Sequence, residues 1–190
     1  AASDVYKRQL KHEGEYGKTE MWYIIDCMDD AYLYYGLNRT VTKEEFLKHI
    51  EDKTILEVLN KVPVHKGDVF FIPAGTIHAI CGGILICEIQ QNSNTTYRVY
   101  DYNRLGADGN PRPLHIKKAA EVSMLKPSPK YIRPDKDTLA SCKYFTVKHL
   151  ACVNKLFIDT NEKCFQSIIV LDGQGSLTLG DTVIAASYTH

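Results

Sequence analysis

The chain has 190 residues, long enough to bury the core of one large domain or of one domain and part of another, and its 23 Lys+Arg offset 23 Asp+Glu to a net charge of zero. With no basic block and no acidic tail, nothing in the charge pattern favours nucleic acid as a partner, and no run reaches the ~18 apolar residues of a membrane-spanning helix. The six cysteines form no CxxC pair and five lie beside apolar, strand-like residues, a pattern of reduced, buried thiols in a cytoplasmic protein rather than a disulfide framework.

Residues 1–9 (AASDVYKRQ) show no period and join abruptly to a well-patterned chain, and about 186–190 follow a strand-like run without a cap. Both ends are expected to be foreign or misread sequence flanking a fragment. Residues 10–19 are polar. Met21–Cys27 and Ala31–Leu37 are dense in β-formers and flank an Asp29-Asp30 turn, so they are expected to pair as a hairpin. The period then changes. Thr42 with Glu45 makes a capping box, and Phe46, Leu47 and Ile50 follow at helical spacing. Ile55, Leu56 and Leu59 resume after a break near 52–54, giving one interrupted helix or two short ones on the outside of a sheet.

Strands return at Val62–Val64, Val69–Ile72 and Ile84–Ile89, with Gly82-Gly83 as a tight connection. Tyr97–Tyr102 is strand-like, and Ile116–Leu125 reads as a short helix. Residues 126–138, with prolines at 127, 129 and 134, read as a linker. Further strands are expected at Cys142–Leu150, Lys155–Asp159, Cys164–Leu171 and Gly175–Leu179, the last two joined through an Asp172-Gly173-Gln174-Gly175 turn. Many short strands separated by turns predict an all-β sandwich or barrel with a short helical insertion, and no GxGxxG or P-loop suggests a doubly wound sheet.

The stretch Gly67–His78, GDVFFIPAGTIH, carries most of the chemical signal. An apolar strand ends at Pro73, which has no N–H for a ladder, and Gly75 frees the bend. His78 follows three residues later, placed to face the mouth of a barrel, where metal and small-molecule sites occur. The spacing G-x-x-x-x-x-P-x-G-x-x-H resembles the second signature motif of the cupin superfamily up to its histidine, although the Asn expected shortly afterwards is missing.

Taken with Gly17-Lys18-Thr19-Glu20-Met21-Trp22-Tyr23 and the run Gln90–Tyr102, the chain from Gly17 to about Glu121 resembles the type I mannose-6-phosphate isomerases in their shorter, Bacillus-like form. The resemblance implies a catalytic cupin jelly roll over 10–125, lacking its N-terminal part, a linker at 126–138, and a truncated second cupin domain over 139–190. It implies zinc as cofactor, with Glu20 and His78 as ligands. Carboxylate oxygen and imidazole nitrogen are both ligands zinc accepts. It assigns Arg98 as the active-site arginine, a permanent cation suited to a developing enediolate or a sugar phosphate. Lys18 becomes a substrate-contacting cation. The implied substrates are small sugar phosphates, interconverted as mannose 6-phosphate and fructose 6-phosphate by proton transfer between C1 and C2.

The residue types alone leave blander alternatives open. Glu20 ahead of a strand suits an exposed carboxylate, His78 a loop histidine, and Arg98 a salt bridge to Asp101 or Glu88. His115 matches a family histidine without an assigned role, and His12, His49, His65 and His149 read as surface residues. The family's other two ligands, a Gln and a His in a QVHPDD-like motif upstream of Lys18-Thr19-Glu20, are not in the 190 residues. The fragment is therefore expected to have little activity. A non-catalytic cupin that binds a sugar or sugar phosphate is the alternative; an iron-dependent cupin dioxygenase fits less well, for want of an HxH pair.

Overall fold

The computed structural model describes residues 17–93, 95–102, 104–159 and 163–188. The expectations for residues 1–9, His12 and the last two residues fall outside them. The chain divides into two compact units, 1–149 and 150–190.

Among its described residues the first unit holds two three-stranded antiparallel sheets, and its architecture is all-β with short helices. One sheet orders β4 (Val69–Ile72), β1 (Glu20–Cys27) and β6 (Ile84–Gln90). The other orders β3 (Leu59–Pro63), β2 (Tyr32–Leu37) and β5 (His78–Ile80). The expected β1–β2 hairpin does not form. β1 has β4 on one side and β6 on the other, β2 has β3 and β5, and the Asp29-Asp30 turn carries the chain from one sheet to the other. Alternation explains why this arrangement wins. Trp22 and Ile24 of β1 must be buried on the same side as Leu33 and Tyr35 of β2, and facing sheets achieve that with Ile72 and Val64 between them.

Each sheet buries its other face as well. Tyr34 and Leu37 pack beneath α1 (Lys43–Glu51), the 3-10 turn Ile55–Glu57 and Ala120 of α2 (Ile116–Val122). Thr42 caps α1, its hydroxyl accepting the Glu45 N–H at 3.1 Å. The break before Ile55 makes two short helices, as expected. On the outside of the β1 sheet, Met21 packs with Leu139 and Ala140 of β7 (Thr138–Ser141), which pairs with β8 (Thr146–Lys148).

Residues 126–138 lie within the first unit and pack on its strands. Tyr131 stacks on Phe71 at 5.1 Å, and Arg133 donates to the Gly67 carbonyl at 2.7 Å. Ser128 lies against Gly36, where an added Cβ would stand 2.3 Å from Ser128 Oγ and where φ is +69°. Only glycine suits that position. The strand expected over Cys142–Leu150 is shorter and displaced, because β7 and β8 fold back on each other around residues 142–145.

Tyr97–Tyr102 is a loop, not a strand: its backbone pairs with His115 rather than with a sheet. In the second unit the described parts of Lys155–Asp159 and Cys164–Leu171 are not strands, and the hairpin is β9 (Gln174–Leu179) with β10 (Thr182–Ser187). The Asp172–Gly175 turn therefore leads into β9 instead of joining two strands. All six cysteines are free, four half-buried and two, Cys152 and Cys164, exposed, so burial of the thiols is less complete than expected.

Candidate functional site

The site lies where the two sheets face each other. β1 begins with Glu20, on the same inward side as Trp22 and Ile24, and its register sets Glu20 opposite Gln90 and Trp22 opposite Glu88. Across the barrel, β5 pairs His78 with Tyr35, whose side chain also points into the core. The turn before β5 is built by its sequence. Thr76 N–H closes on the Pro73 carbonyl at 3.1 Å, and Gly75 takes φ +88°, the left-handed position of a type II turn.

Those two strand starts bring the predicted ligands together. Glu20 is 2% exposed, and its Oε2 stands 3.7 Å from His78 Nε2. Two ligand atoms about 2.0–2.1 Å from one tetrahedral zinc stand about 3.4 Å apart, so the pair fits two corners of such a site. His78 Nδ1 is 2.9 Å from the Thr76 carbonyl, which can only accept. Nδ1 therefore carries a proton, and Nε2 is the ring atom that faces Glu20, the one a metal would take. Trp22 fixes the ring from the side, edge-on at 5.1 Å. Two buried polar atoms of its neighbours, Trp22 Nε1 and Thr76 Oγ1, have no hydrogen-bond partner among the described residues.

Lys18 joins the same group. Its Nζ is 3.0 Å from Glu20 Oε1 and donates to Gln90 Oε1 at 2.9 Å. The two oxygens of Glu20 are thus divided between a cation and the imidazole. Among the described residues no third His, Cys, Asp or Glu completes a metal-binding group.

No hydrogen bond or ion pair among the described residues brings Arg98 into this group. Its backbone holds it to His115: Arg98 N–H donates to His115 Nδ1 at 3.3 Å, and His115 N–H donates to the Arg98 carbonyl at 2.8 Å. Asp101, one alternative partner, is instead taken by Arg112, with Nε to Oδ2 at 2.6 Å, and by Arg104 at 3.2 Å. Arg112 holds the Asp101 carboxyl below the usual carboxylate range, and Arg98 is the least of the cationic influences on it.

Glu88 is the residue that sequence reasoning missed at this site. Burial and then the charge of Glu20 push its carboxyl up, while Lys18 and His78 act in the opposite direction. The signal was present in the alternation of Ile84, Ile86, Glu88 and Gln90, which puts a carboxylate in phase with two half-buried isoleucines. Of the other histidines, His65 is exposed, His49 bonds Thr54 at 2.8 Å, and His149 lies against Tyr23.

No protein-family profile matches the chain. It is 44% identical over 182 residues to the mannose-6-phosphate isomerase ManA of Bacillus subtilis, covering 92% of this chain and 57% of that protein. It is 38% identical over 178 residues to the mannose-6-phosphate isomerase of Streptococcus mutans, covering 90% of this chain and 56% of that one. The crystal structure of the mannose 6-phosphate isomerase from Bacillus subtilis superposes with a TM-score of 0.77 and 32% identity, over 96% of this chain and 60% of that one. The chain therefore spans less than two thirds of the length of the relatives it matches, and its all-β fold matches that of the Bacillus subtilis isomerase structure.

Proposed function

The chain is a relative of the mannose-6-phosphate isomerases, and we propose that it supplies the metal-binding barrel of such an enzyme, interconverting mannose 6-phosphate and fructose 6-phosphate. The observation that carries this reading is the convergence of Glu20 Oε2 and His78 Nε2 at 3.7 Å inside the barrel. Glu20 and His78 would hold a zinc ion, and a bound zinc supplies Lewis-acid polarisation of substrate oxygens.

The chain's own residues do the remaining work. Thr76 holds the His78 proton on Nδ1 and so keeps Nε2 available. Lys18 offsets the buried carboxylate of Glu20 and, from the same place, presents an ammonium to an anionic sugar phosphate. Trp22 walls the imidazole and excludes water from one side. Arg98 is proposed as the catalytic cation that stabilises charge on the reacting carbon–oxygen framework. The backbone tie to His115 sets where its loop runs.

Residues 139–190 are proposed as a truncated second cupin domain, for which the β7–β8 and β9–β10 hairpins are the support. A cytoplasmic setting is proposed from the six free cysteines. Catalytic zinc sites take three protein ligands, and the described residues offer two, so the 190-residue chain by itself is expected to have little activity.

A coupled assay that follows fructose 6-phosphate tests the reading. The protein carrying this sequence together with a QVHPDD-like motif is expected to turn over mannose 6-phosphate, to lose activity to a chelator and to regain it with zinc. Chelator-resistant turnover would refute the metal role. Tight binding of mannose 6-phosphate without turnover would favour the non-catalytic sugar-phosphate module.

A further inference from the structure

At the end of β6 the ladder to β1 changes character. Glu20 lies opposite Gln90, and the next rung joins Thr19 to Gln91. Gln91 N–H donates to the Thr19 carbonyl at 3.0 Å, which is one half of an ordinary antiparallel pair. The other half is not made by the backbone. Thr19 N–H donates instead to the side-chain Oε1 of Gln91 at 2.9 Å, while the Gln91 backbone carbonyl accepts from Ser93 N–H at 2.8 Å. The carbonyl has turned away to start the loop that leads on to Arg98, and the side chain stands in for it.

We propose that Gln91 is a positioning residue for the metal centre: its amide oxygen completes the β1–β6 ladder at Thr19, so that the chain can leave the sheet without loosening the peptide between Lys18 and Glu20. The physical need is clear from burial. Thr19 is 7% exposed, and a buried N–H that loses its acceptor is driven to find another by moving the backbone. Any such movement is felt directly by its two neighbours, the cation and the carboxylate of the site. Glutamine suits the place because its side-chain oxygen reaches back across one residue to Thr19 N–H. Asparagine, one methylene shorter, falls short of Thr19.

The inference rests on the metal reading of Glu20 and His78, and its test keeps the two apart. Co2+ is titrated into the 190-residue chain while the fluorescence of Trp22, the single tryptophan, reports on the adjacent imidazole. Hydrogen exchange at the Thr19 amide reports on the rung itself. In Gln91→Met the Thr19 amide is expected to exchange at least about tenfold faster and Co2+ affinity to fall about tenfold, the scale of a lost supporting contact around a metal. Gln91→Asn is expected to behave like Gln91→Met, and it keeps a polar amide should the methionine variant not fold. Gln91→Glu retains an acceptor at the same reach and is expected to keep both readouts within about threefold of the parent. Wild-type affinity in both Gln91→Met and Gln91→Asn, or no rescue in Gln91→Glu, would overturn the proposal. If the parent chain binds no Co2+ at millimolar concentration, Glu20 and His78 do not hold a metal by themselves, the link from Gln91 to the metal centre falls, and Thr19 exchange alone decides whether Gln91 holds the rung.

Discussion

Replacing Leu139 by alanine tests whether the segment after α2 is structural for the site. Leu139 is 3% exposed and packs with Met21, which has no exposed surface, and with Ala140; Phe71, Ile89, Tyr131 and Phe145 surround them. Leucine to alanine removes three carbons, about 2.4 kcal/mol at ~0.8 kcal/mol per buried CH2, and the cavity left behind adds to this, giving about 3–4 kcal/mol. In urea, at ~1.5–2 kcal/mol per molar, the unfolding midpoint of a chain ending at His149 should fall by about 1.5–2.5 M. Met21 sits between Glu20 and Trp22, so Co2+ affinity read through Trp22 should weaken in the same variant under native conditions. A loss below about 0.5 kcal/mol would refute the packing of β7 on β1. The same loss of stability with an unchanged Co2+ affinity would refute only the link to the site.

Three further outcomes follow from the site and its surroundings. Lys18→Met leaves the Glu20 carboxylate buried without its cation and should cost about 3 kcal/mol in urea unfolding of the metal-free chain, with part of the loss recovered when Co2+ is added. His78→Ala should abolish the Co2+ response of Trp22 while far-ultraviolet circular dichroism stays unchanged, because the imidazole is part-exposed and its backbone pairing with Tyr35 remains. Asp101, its carboxyl held low by Arg112, contributes stability that is present above the unfolded carboxylate range and is lost as pH falls through its lower folded value. Asp101→Asn should therefore lower stability at neutral pH and flatten its decline in acid, followed by thermal unfolding across pH 2–7.

Much of the centre was legible in the sequence because local chemistry set it. Pro73, Gly75 and His78 describe their own turn, since proline ends a strand and glycine accepts the positive φ that a type II turn demands. The Thr42 cap and the apolar spacing after it specify α1 without outside help. The β-former run of β1 was legible too, but ahead of it Glu20 read by residue type as an exposed carboxylate, not as the buried one it is.

What only the tertiary structure decided were matters of partnership. Two adjacent strands with a turn between them suggest a hairpin, yet β1 and β2 go to opposite sheets, because both must turn apolar faces toward one core. The distance between Glu20 and His78, 58 positions apart in sequence, exists only once the sheets face each other. Glu88 became part of the site through pairing within one sheet, by its register with Trp22. Residues 126–138 have the composition of a linker, but the face of Met21, Phe71 and Ile89 needs a cover, and Tyr131, with Leu139 just beyond the segment, provides it. Side-chain period and turn chemistry are properties of neighbours along the chain and can be read there. Which faces meet depends on how apolar surface is shared among distant strands, and that is settled only by packing.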